Sequence, residues 1–430
     1  MKEQPDINDT LRTKGPDAVR DRHDQAHKLN SGHRHCSLTD VHAVFQKWLG
    51  DEYDLATLDA MLAVAASERL PGDPAWLLIV SGSGNAKTET VAATSGLGAH
   101  VVSTIVSDGA LLSATSSRQR AKDATGGLLR QIGKRGILAI KDFTSILSMD
   151  RHVRGSLLAA LREIHDGHWT RFVGIDGGKT LHWDGRIVVI GACTTAWDQA
   201  HSVIANMGDR FVLIRSDSHQ GRVTSGRRAM KNTGEETKMR QELADAVAAL
   251  INTVDPDKVY QLTDDDEDKI VRAADLITLA RTAVEQDYRG NIIDAHAPEM
   301  PTRFAKQLTM ILRGAIAIGM DHDAAMRLAL RCAQDSMPQL RLAVLHDLAK
   351  HPDSPVIEIR RRLQKPRMTV DRTLEALQVL GLLTCREEER ERGGKEVHVR
   401  FYRLADTISL EPIFVPGNVG VDPEKHPNPP

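Results

Sequence analysis

A chain of 430 residues is long enough for more than one domain, and its 41% hydrophobic and 27% charged residues are typical of a soluble protein. The formal net charge of −2 gives no sign of a chain-wide nucleic-acid surface, so only local basic patches can indicate one. The four cysteines have neither metal-type spacing nor a disulfide framework, and no apolar run reaches membrane length, which together predict a cytoplasmic protein.

Residues 1–37 are polar and contain few large apolar side chains, which predicts a disordered tail. Five side chains of the tail could be grouped as a metal site: His23, His27, His33, His35 and Cys36. A solvated tail is the simpler interpretation because no folded scaffold surrounds them. Two amphipathic helices follow, over residues 38–49 and 55–70.

Residues 76–91 (WLLIVSGSGNAKTETV) contain the pattern around which the rest of the chain is organised. A short buried strand leads into a loop of small residues, and a helix then opens with Lys-Thr. This order is typical of a phosphate-binding loop, in which backbone N–H groups and the helix dipole bind phosphates. The predicted nucleotide-binding residues are Gly82, Ser83, Gly84, Asn85, Ala86, Lys87, Thr88 and Glu89.

Within this loop, Lys87 is predicted to neutralise the outer phosphates, and Thr88 to offer its hydroxyl to Mg²⁺. Ala86 stands where the usual pattern has glycine, so it carries strain if the position requires a positive φ. The alternative is an ordinary strand–turn–helix corner with a chance Lys-Thr pair.

A second buried strand, over residues 136–143, contains Lys141-Asp142 at its carboxyl end. A carboxylate at this end of a parallel strand can coordinate Mg²⁺ or polarise the attacking water. The usual ending is Asp-Glu, so with one carboxylate the role of Asp142 is open, and a solvated turn is the alternative. We expect Lys87 and Asp142 to meet at a common rim of neighbouring parallel strands.

Further elements follow in the order of a nucleotide-hydrolysing sheet. A strand-like segment lies at 100–106, short helices at 108–112 and 126–132, a helix at 151–166, and a hairpin at 169–183. A third buried strand ends before Thr194 and Thr195, which could hydrogen-bond the attacking water or the γ-phosphate. A fourth strand, over residues 208–215, is led by Arg210.

This order of elements resembles the ATPase module of the AAA+ family over roughly residues 55–334. The resemblance implies ATP and Mg²⁺ as ligands and a ring-forming homo-oligomer with ATP bound between subunits. It implies that Arg210 reaches the neighbouring subunit's γ-phosphate, and that Lys179 on the hairpin contacts DNA, as in minichromosome-maintenance helicases. The alternatives are an Arg210 paired with a carboxylate, such as Asp209, and a Lys179 with no DNA contact.

Residues 217–336 are predicted to form a linker, over 216–234, and a helical lid. Lid helices are expected at 236–254, 264–287, 300–319 and 323–336. The acidic run at 264–268 is most simply a helix N-terminus favoured by the helix dipole. The AAA+ resemblance further implies that Arg303, in the first turn of its helix, contacts the phosphates of the bound nucleotide.

Residues 337–406 carry three helices followed by a two-stranded ribbon, which resembles a winged helix-turn-helix domain. A basic patch and a helix start supply the predicted DNA contacts: Arg360, Arg361, Arg362, Lys365, Arg367, Thr369 and Arg372. Winged helices also dock proteins, so DNA is one of two possible partners. Residues 407–430 are predicted to be a disordered tail.

The sequence therefore predicts an α/β protein with an AAA+ parallel-sheet core at 38–216, a helical lid and a C-terminal winged helix-turn-helix domain. The predicted function is an oligomeric Mg-ATPase acting on DNA, such as a replicative helicase or loader of a mobile element. An ATP-gated, winged-helix transcriptional regulator is the alternative, and polypeptide remodelling is a third.

Overall fold

The structure is a computed structural model that describes residues 36–84, 86–114, 125–200, 209–217, 222–392 and 395–413. Most of the two predicted tails, including the four tail histidines, lies outside the described residues, as does Asn85. Within the described ranges, no helix is long and apolar enough to cross a membrane.

Strands and helices alternate through the first half of the chain, and helices dominate the second half. The strands are β1 (Trp76–Val80), β2 (His100–Val102), β3 (Arg135–Ile140), β4 (His168–Val173), β5 (Lys179–Asp184), β6 (Arg186–Cys193), β7 (Val212–Arg215), β8 (Val284–Gln286), β9 (Ile292–Ala295), β10 (Ser354–Pro355), β11 (Leu383–Arg392) and β12 (Lys395–Leu404). The helices are α1 (Leu38–Leu49), α2 (Leu55–Ser67), α3 (Lys87–Ala92), α4 (Asp108–Leu111), α5 (Leu128–Ile132), α6 (Thr144–Leu147), α7 (Arg151–His165), α8 (Arg222–Lys231), α9 (Glu236–Ile251), α10 (Asp264–Ala280), α11 (Thr302–Ala317), α12 (His322–Asp335), α13 (Gln339–Lys350), α14 (Val356–Leu363) and α15 (Arg367–Val379).

A five-stranded parallel sheet, in the order β2-β3-β6-β1-β7, forms the centre of the molecule. Strand β1 is buried along its whole length because helices cover both faces of the sheet, so its sequence is a continuous apolar run. Leu77 and Ile79 face one core with α2, α9 and α11, and Trp76, Leu78 and Val80 face a second core with α7.

Strand β6 lies between β1 and β3, so the expectation that the strands leading to Lys87 and Asp142 are neighbours is wrong. The order of strands along a chain does not fix their order in a sheet, and β6 pairs in parallel with both. Gly191 in β6 lies opposite Leu78 and Ile140, and a Cβ atom there would lie 2.6 Å from Leu78 Cδ2. A larger residue at this point would therefore displace the Leu78 side chain.

Two segments of the predicted linker and lid differ from expectation. Residues 216–234 contain helix α8, whose residues are all at least partly exposed, so the hydrophobic pattern gave no helical signal. The helix expected over 264–287 ends at Ala280, and the antiparallel hairpin β8–β9 follows it. Gly290 and Asn291 between two β-branched or apolar segments were the overlooked hairpin signal.

The C-terminal part contains α13, the short strand β10, α14 and α15, and then the antiparallel ribbon β11–β12, with β10 paired to β12. Gln364 joins α14 to α15 in a left-handed conformation with φ 51°. Oppositely charged residues pair across the strands of the ribbon, including Glu387 with Arg400 at 2.7 Å.

Candidate nucleotide-binding site

The loop between β1 and α3 begins at the carboxyl edge of the sheet, where the Ser81 N–H donates to the Cys193 carbonyl at 3.2 Å. Ala86 immediately precedes α3 and has φ 53° and ψ 1°. The position therefore does require the left-handed conformation, which costs an alanine about 1 kcal/mol or more. Strain of this kind persists where surrounding structure enforces it and is concentrated at functional loops.

Lys87 folds back over this loop, and its Nζ donates to the carbonyls of Gly82 at 2.7 Å and Ser81 at 3.4 Å. Burial lowers the pKa of the Lys87 ammonium, while Cys193 and the carboxylate of Asp142 act in the opposite direction. The ammonium thus lies inside the curve of the loop and within the electrostatic reach of Asp142.

Asp142 follows β3 at the same edge of the sheet and is exposed to solvent. Its backbone N–H donates to Ser103 O at 3.0 Å, and its Oδ1 accepts the Thr144 N–H at 3.0 Å. We call the carboxyl ends of β1, β3 and β6, with residues 81–84, 86–88, 142–144 and 194–195, the carboxyl rim. One carboxylate oxygen of Asp142 is thus oriented by the turn, and the group remains open to a cation.

Thr194 follows β6 and therefore lies between the loop and Asp142 along the carboxyl rim. Two contacts with Thr144 hold Thr194 in position. Thr144 Oγ1 accepts the Thr194 N–H at 2.9 Å and lies 3.3 Å from Thr194 Oγ1. Thr195 is exposed beside it. Thr144 was missed from sequence, although a threonine two residues after a strand-end aspartate is a recognisable turn signal.

Glu89, grouped with the nucleotide-binding residues from sequence, is bound by Arg240 of α9 instead. Arg240 Nη2 and Nε donate to its two carboxylate oxygens at 2.8 and 2.9 Å. In the next position of α3, the Thr90 hydroxyl lies 2.7 Å from the Tyr53 hydroxyl. These contacts hold α3 in place, and Thr88 at its exposed first turn is left facing solvent.

Two predicted phosphate-contacting arginines, Arg210 and Arg303, lie at the opposite edge of the sheet. Arg210 precedes β7, which is parallel to β1, and it pairs with Asp166 at 3.2 Å with a side chain only 12% exposed. Arg303 pairs with Glu299 at 3.3 Å and donates to the Asp209 carbonyl at 3.4 Å. The structure therefore does not place Arg303 at the β1–α3 loop of its own chain, and a carboxylate of its own chain binds Arg210.

Sequence reasoning missed two arginines that do lie beside the loop, Arg215 and Arg331. Arg215 ends β7 opposite Val80, and its guanidinium forms two hydrogen bonds with Asp198, at 2.7 and 2.9 Å. Arg331 of α12 donates to the Arg215 carbonyl at 2.8 Å and pairs with Asp54 at 2.8 Å. A charged residue among the buried residues of α12 was the available signal.

Asp335 completes this charge network, since it accepts the Arg215 N–H at 2.7 Å and lies 3.6 Å from Arg331. Burial raises the pKa of Asp335 to about 6, against the influence of the neighbouring arginines. Three carboxylates thus share two guanidinium groups at this corner, which ties helix α12 to the end of strand β7.

The predicted DNA-contacting residues fall into two groups. Those exposed to solvent are Lys179 on the β4–β5 hairpin, Arg360, Arg361, Lys365, Arg367 and Thr369. Arg362 and Arg372 are held within the chain, because Arg362 pairs with Asp347 at 2.7 Å and Arg372 donates to the Arg289 carbonyl at 2.6 Å. Apart from Lys179, these exposed residues lie at the end of α14 and the start of α15.

No protein-family model matches the chain, and no curated protein matches it in sequence. Function is therefore inferred from the geometry of the carboxyl rim, the C-terminal basic patch and the resemblance described above. Among the residues that the structure describes, no group of three or more His, Cys, Asp or Glu side chains forms a metal site.

Proposed function

We propose that the chain is an AAA+-type Mg-ATPase that acts on DNA. The observation that carries the proposal is the common position of Lys87, Asp142 and Thr194 at the carboxyl rim of a wholly parallel sheet. Ligands of open α/β sheets bind at this edge, where the helix N-terminus after β1 also favours phosphate.

The spacing along the rim suits a triphosphate. Adjacent strands lie about 4.8 Å apart, so the ends of β1 and β3, with β6 between them, are separated by about 10 Å. In the proposed complex, backbone N–H groups and Lys87 bind the phosphates, and Thr88 and Asp142 hold Mg²⁺. Thr194, between them, would orient water or the γ-phosphate, with Thr195 beside it.

Substitution of Lys87 tests the proposal. We expect Lys87→Ala to abolish ATP binding measured by titration calorimetry, because the loop loses its cation at the phosphates. Lys306→Ala is the matched control, since Lys306 pairs with Asp73 at the opposite edge. Normal ATP binding and hydrolysis by Lys87→Ala would overturn the proposal. Asp142→Asn should instead retain binding and lose hydrolysis.

Action on DNA is supported by the exposed basic residues at the α14–α15 corner and on the β4–β5 hairpin. A helicase or loader of ring form would use ATP between subunits, with Arg210 serving the neighbouring site. In that case Arg210 must exchange Asp166 for the neighbour's phosphate. ATP turnover stimulated by single-stranded DNA, with assembly on nucleotide seen by sizing, is the result expected for such a motor.

An ATP-gated DNA-binding regulator is the second candidate, and two observations favour it. Arg210 is engaged by Asp166 of its own chain, and Asp142 is the sole acidic residue at the end of β3. Both features suit a switch with slow hydrolysis better than a fast motor. Tight duplex binding without stimulation of ATP turnover would decide for the regulator, and polypeptide-stimulated turnover without DNA binding would decide for a remodelling enzyme.

A further inference from the structure

Arg372, on the face of α15 that points away from its own core, contacts another part of the chain. Val370, Leu374 and Leu377 face the core of the C-terminal part. Successive helical residues are separated by about 100°, so Arg372 projects from nearly the opposite side of α15. Strand β9 of the β8–β9 hairpin packs against the helix.

The contact is built around the turn of this hairpin. Arg372 Nη2 donates to the Arg289 carbonyl at 2.6 Å, and a Cβ atom on Gly290 would lie 2.8 Å from the Arg372 guanidinium. Gly290 has φ +80°, a conformation that favours glycine. The Asp287 carboxylate holds the turn by accepting the N–H groups of Arg289 and Asn291 at 2.8 Å each. Arg372 thus binds to a turn that the Asp287 carboxylate already holds in place.

The same helix is the one that a helix-turn-helix protein places in the major groove. That groove is about 12 Å wide and accepts one helix or one β-ribbon, so it cannot hold α15 with a hairpin on its outer face. Arg367 and Thr369 in the first turn of α15 remain exposed, whereas Arg372 further along is engaged. Duplex DNA and the hairpin therefore compete for one surface.

We propose that the β8–β9 hairpin is a latch that blocks the DNA-reading face of α15, and that duplex binding requires the latch to open. The inference rests on the proposed binding of DNA through α15. The hairpin connects the lid helices α10 and α11, so movement of these helices carries the latch with it. Access of DNA to α15 is thereby coupled to the position of the lid.

Opening the latch by mutation tests this inference. Gly290→Val places side-chain atoms against the Arg372 guanidinium, and we expect it to raise affinity for duplex DNA about 10-fold, the effect of losing one hydrogen bond to a charged group. Gly319→Val is the matched control, because Gly319 has φ +92° and no atom within 4 Å of its ideal Cβ position. It should strain the backbone equally and leave DNA affinity unchanged.

Arg372→Lys supplies a second variant that leaves the turn intact and keeps the charge. We expect it also to bind duplex DNA more tightly than the wild type, measured by fluorescence anisotropy with thermal melting to verify folding. Affinity equal to wild type in both Gly290→Val and Arg372→Lys would overturn the latch while leaving the proposed DNA binding intact. No duplex binding by the wild type or either variant would overturn both.

Discussion

Thr144 Oγ1 accepts the backbone N–H of Thr194 at 2.9 Å, which joins the turn after β3 to the end of β6. We expect Thr144→Val to reduce the kcat of ATP hydrolysis about 10-fold or more, because Thr194 loses its position beside Asp142. ATP affinity should change less than 2-fold, because the phosphate loop is untouched, and Thr144→Ser should restore turnover. Turnover of Thr144→Val equal to wild type would show that this hydrogen bond has no catalytic consequence.

Ala86 offers a test of strain in the loop, since its φ is 53°. We expect Ala86→Gly to retain ATP binding and to raise the free energy of unfolding by up to about 1 kcal/mol, because relief of strain exceeds the entropic cost of glycine. Ala92→Gly is the control, because Ala92 has an ordinary helical φ of −65° and should lose stability. Equal destabilisation by both substitutions would contradict the claim that Ala86 is strained.

Asp335 should make the protein less stable as pH rises. Its pKa is raised by burial to about 6, so the native state binds more protons than the unfolded state between about pH 4 and 6. We expect Asp335→Asn to remove up to about 3 kcal/mol of this pH-dependent loss in the free energy of unfolding. Both arginines remain paired in the variant, Arg331 with Asp54 and Arg215 with Asp198. Urea unfolding at several pH values measures the free energy of unfolding, and an unchanged pH dependence in the variant would count against the prediction.

His165 should have the opposite effect on stability. Burial lowers its pKa to about 4, so the unfolded state binds more protons and stability is lost as pH falls from about 6.5 to 4. Its Nε2 accepts from Gln307 at 3.0 Å, which leaves the proton on Nδ1 beside Asp166. We expect His165→Gln to flatten this acid-side loss, whereas Asp335→Asn should steepen it in the same unfolding experiment.

The exposed basic corner should contribute to DNA binding through phosphates. We expect Arg360→Ala combined with Arg361→Ala to weaken duplex binding for all sequences alike, and to reduce the slope of log K against log salt by about 2. Lys258→Ala is the control, because Lys258 is 85% exposed and distant in sequence from this corner. An unchanged salt slope in the double variant would exclude these two residues from the phosphate contacts.

The strands of the central sheet could be predicted because each is a short apolar run bounded by polar or small residues. Their spatial order could not, because it depends on which strands pair, and β6 intervenes between the two that carry Lys87 and Asp142. The loop pattern singled out Ala86 as the residue that carries strain if its position requires a positive φ, and its φ is 53°.

Side-chain contacts between residues that are distant along the chain could not be predicted from the sequence. The helical pattern placed Arg303 in the first turn of a helix, but it could not show at which edge of the sheet that helix begins. The carbonyl of Asp209, which accepts from Arg303, is distant along the chain. Arg331 was overlooked because its partner Asp54 lies 277 residues away. Arg372 was expected to contact DNA. It instead donates to the carbonyl of Arg289, in a hairpin that the hydrophobic periodicity of the sequence did not predict.

Gly191 leaves room for the Leu78 side chain between β6 and β1. A Cβ atom at this position would lie 2.6 Å from Leu78 Cδ2 and would displace that side chain. Because the loop that carries Lys87 follows the end of β1, repacking of Leu78 would act on the span between Lys87 and Asp142 without touching either residue. A glycine in the strand between them therefore contributes to the distance at which the two charges are held.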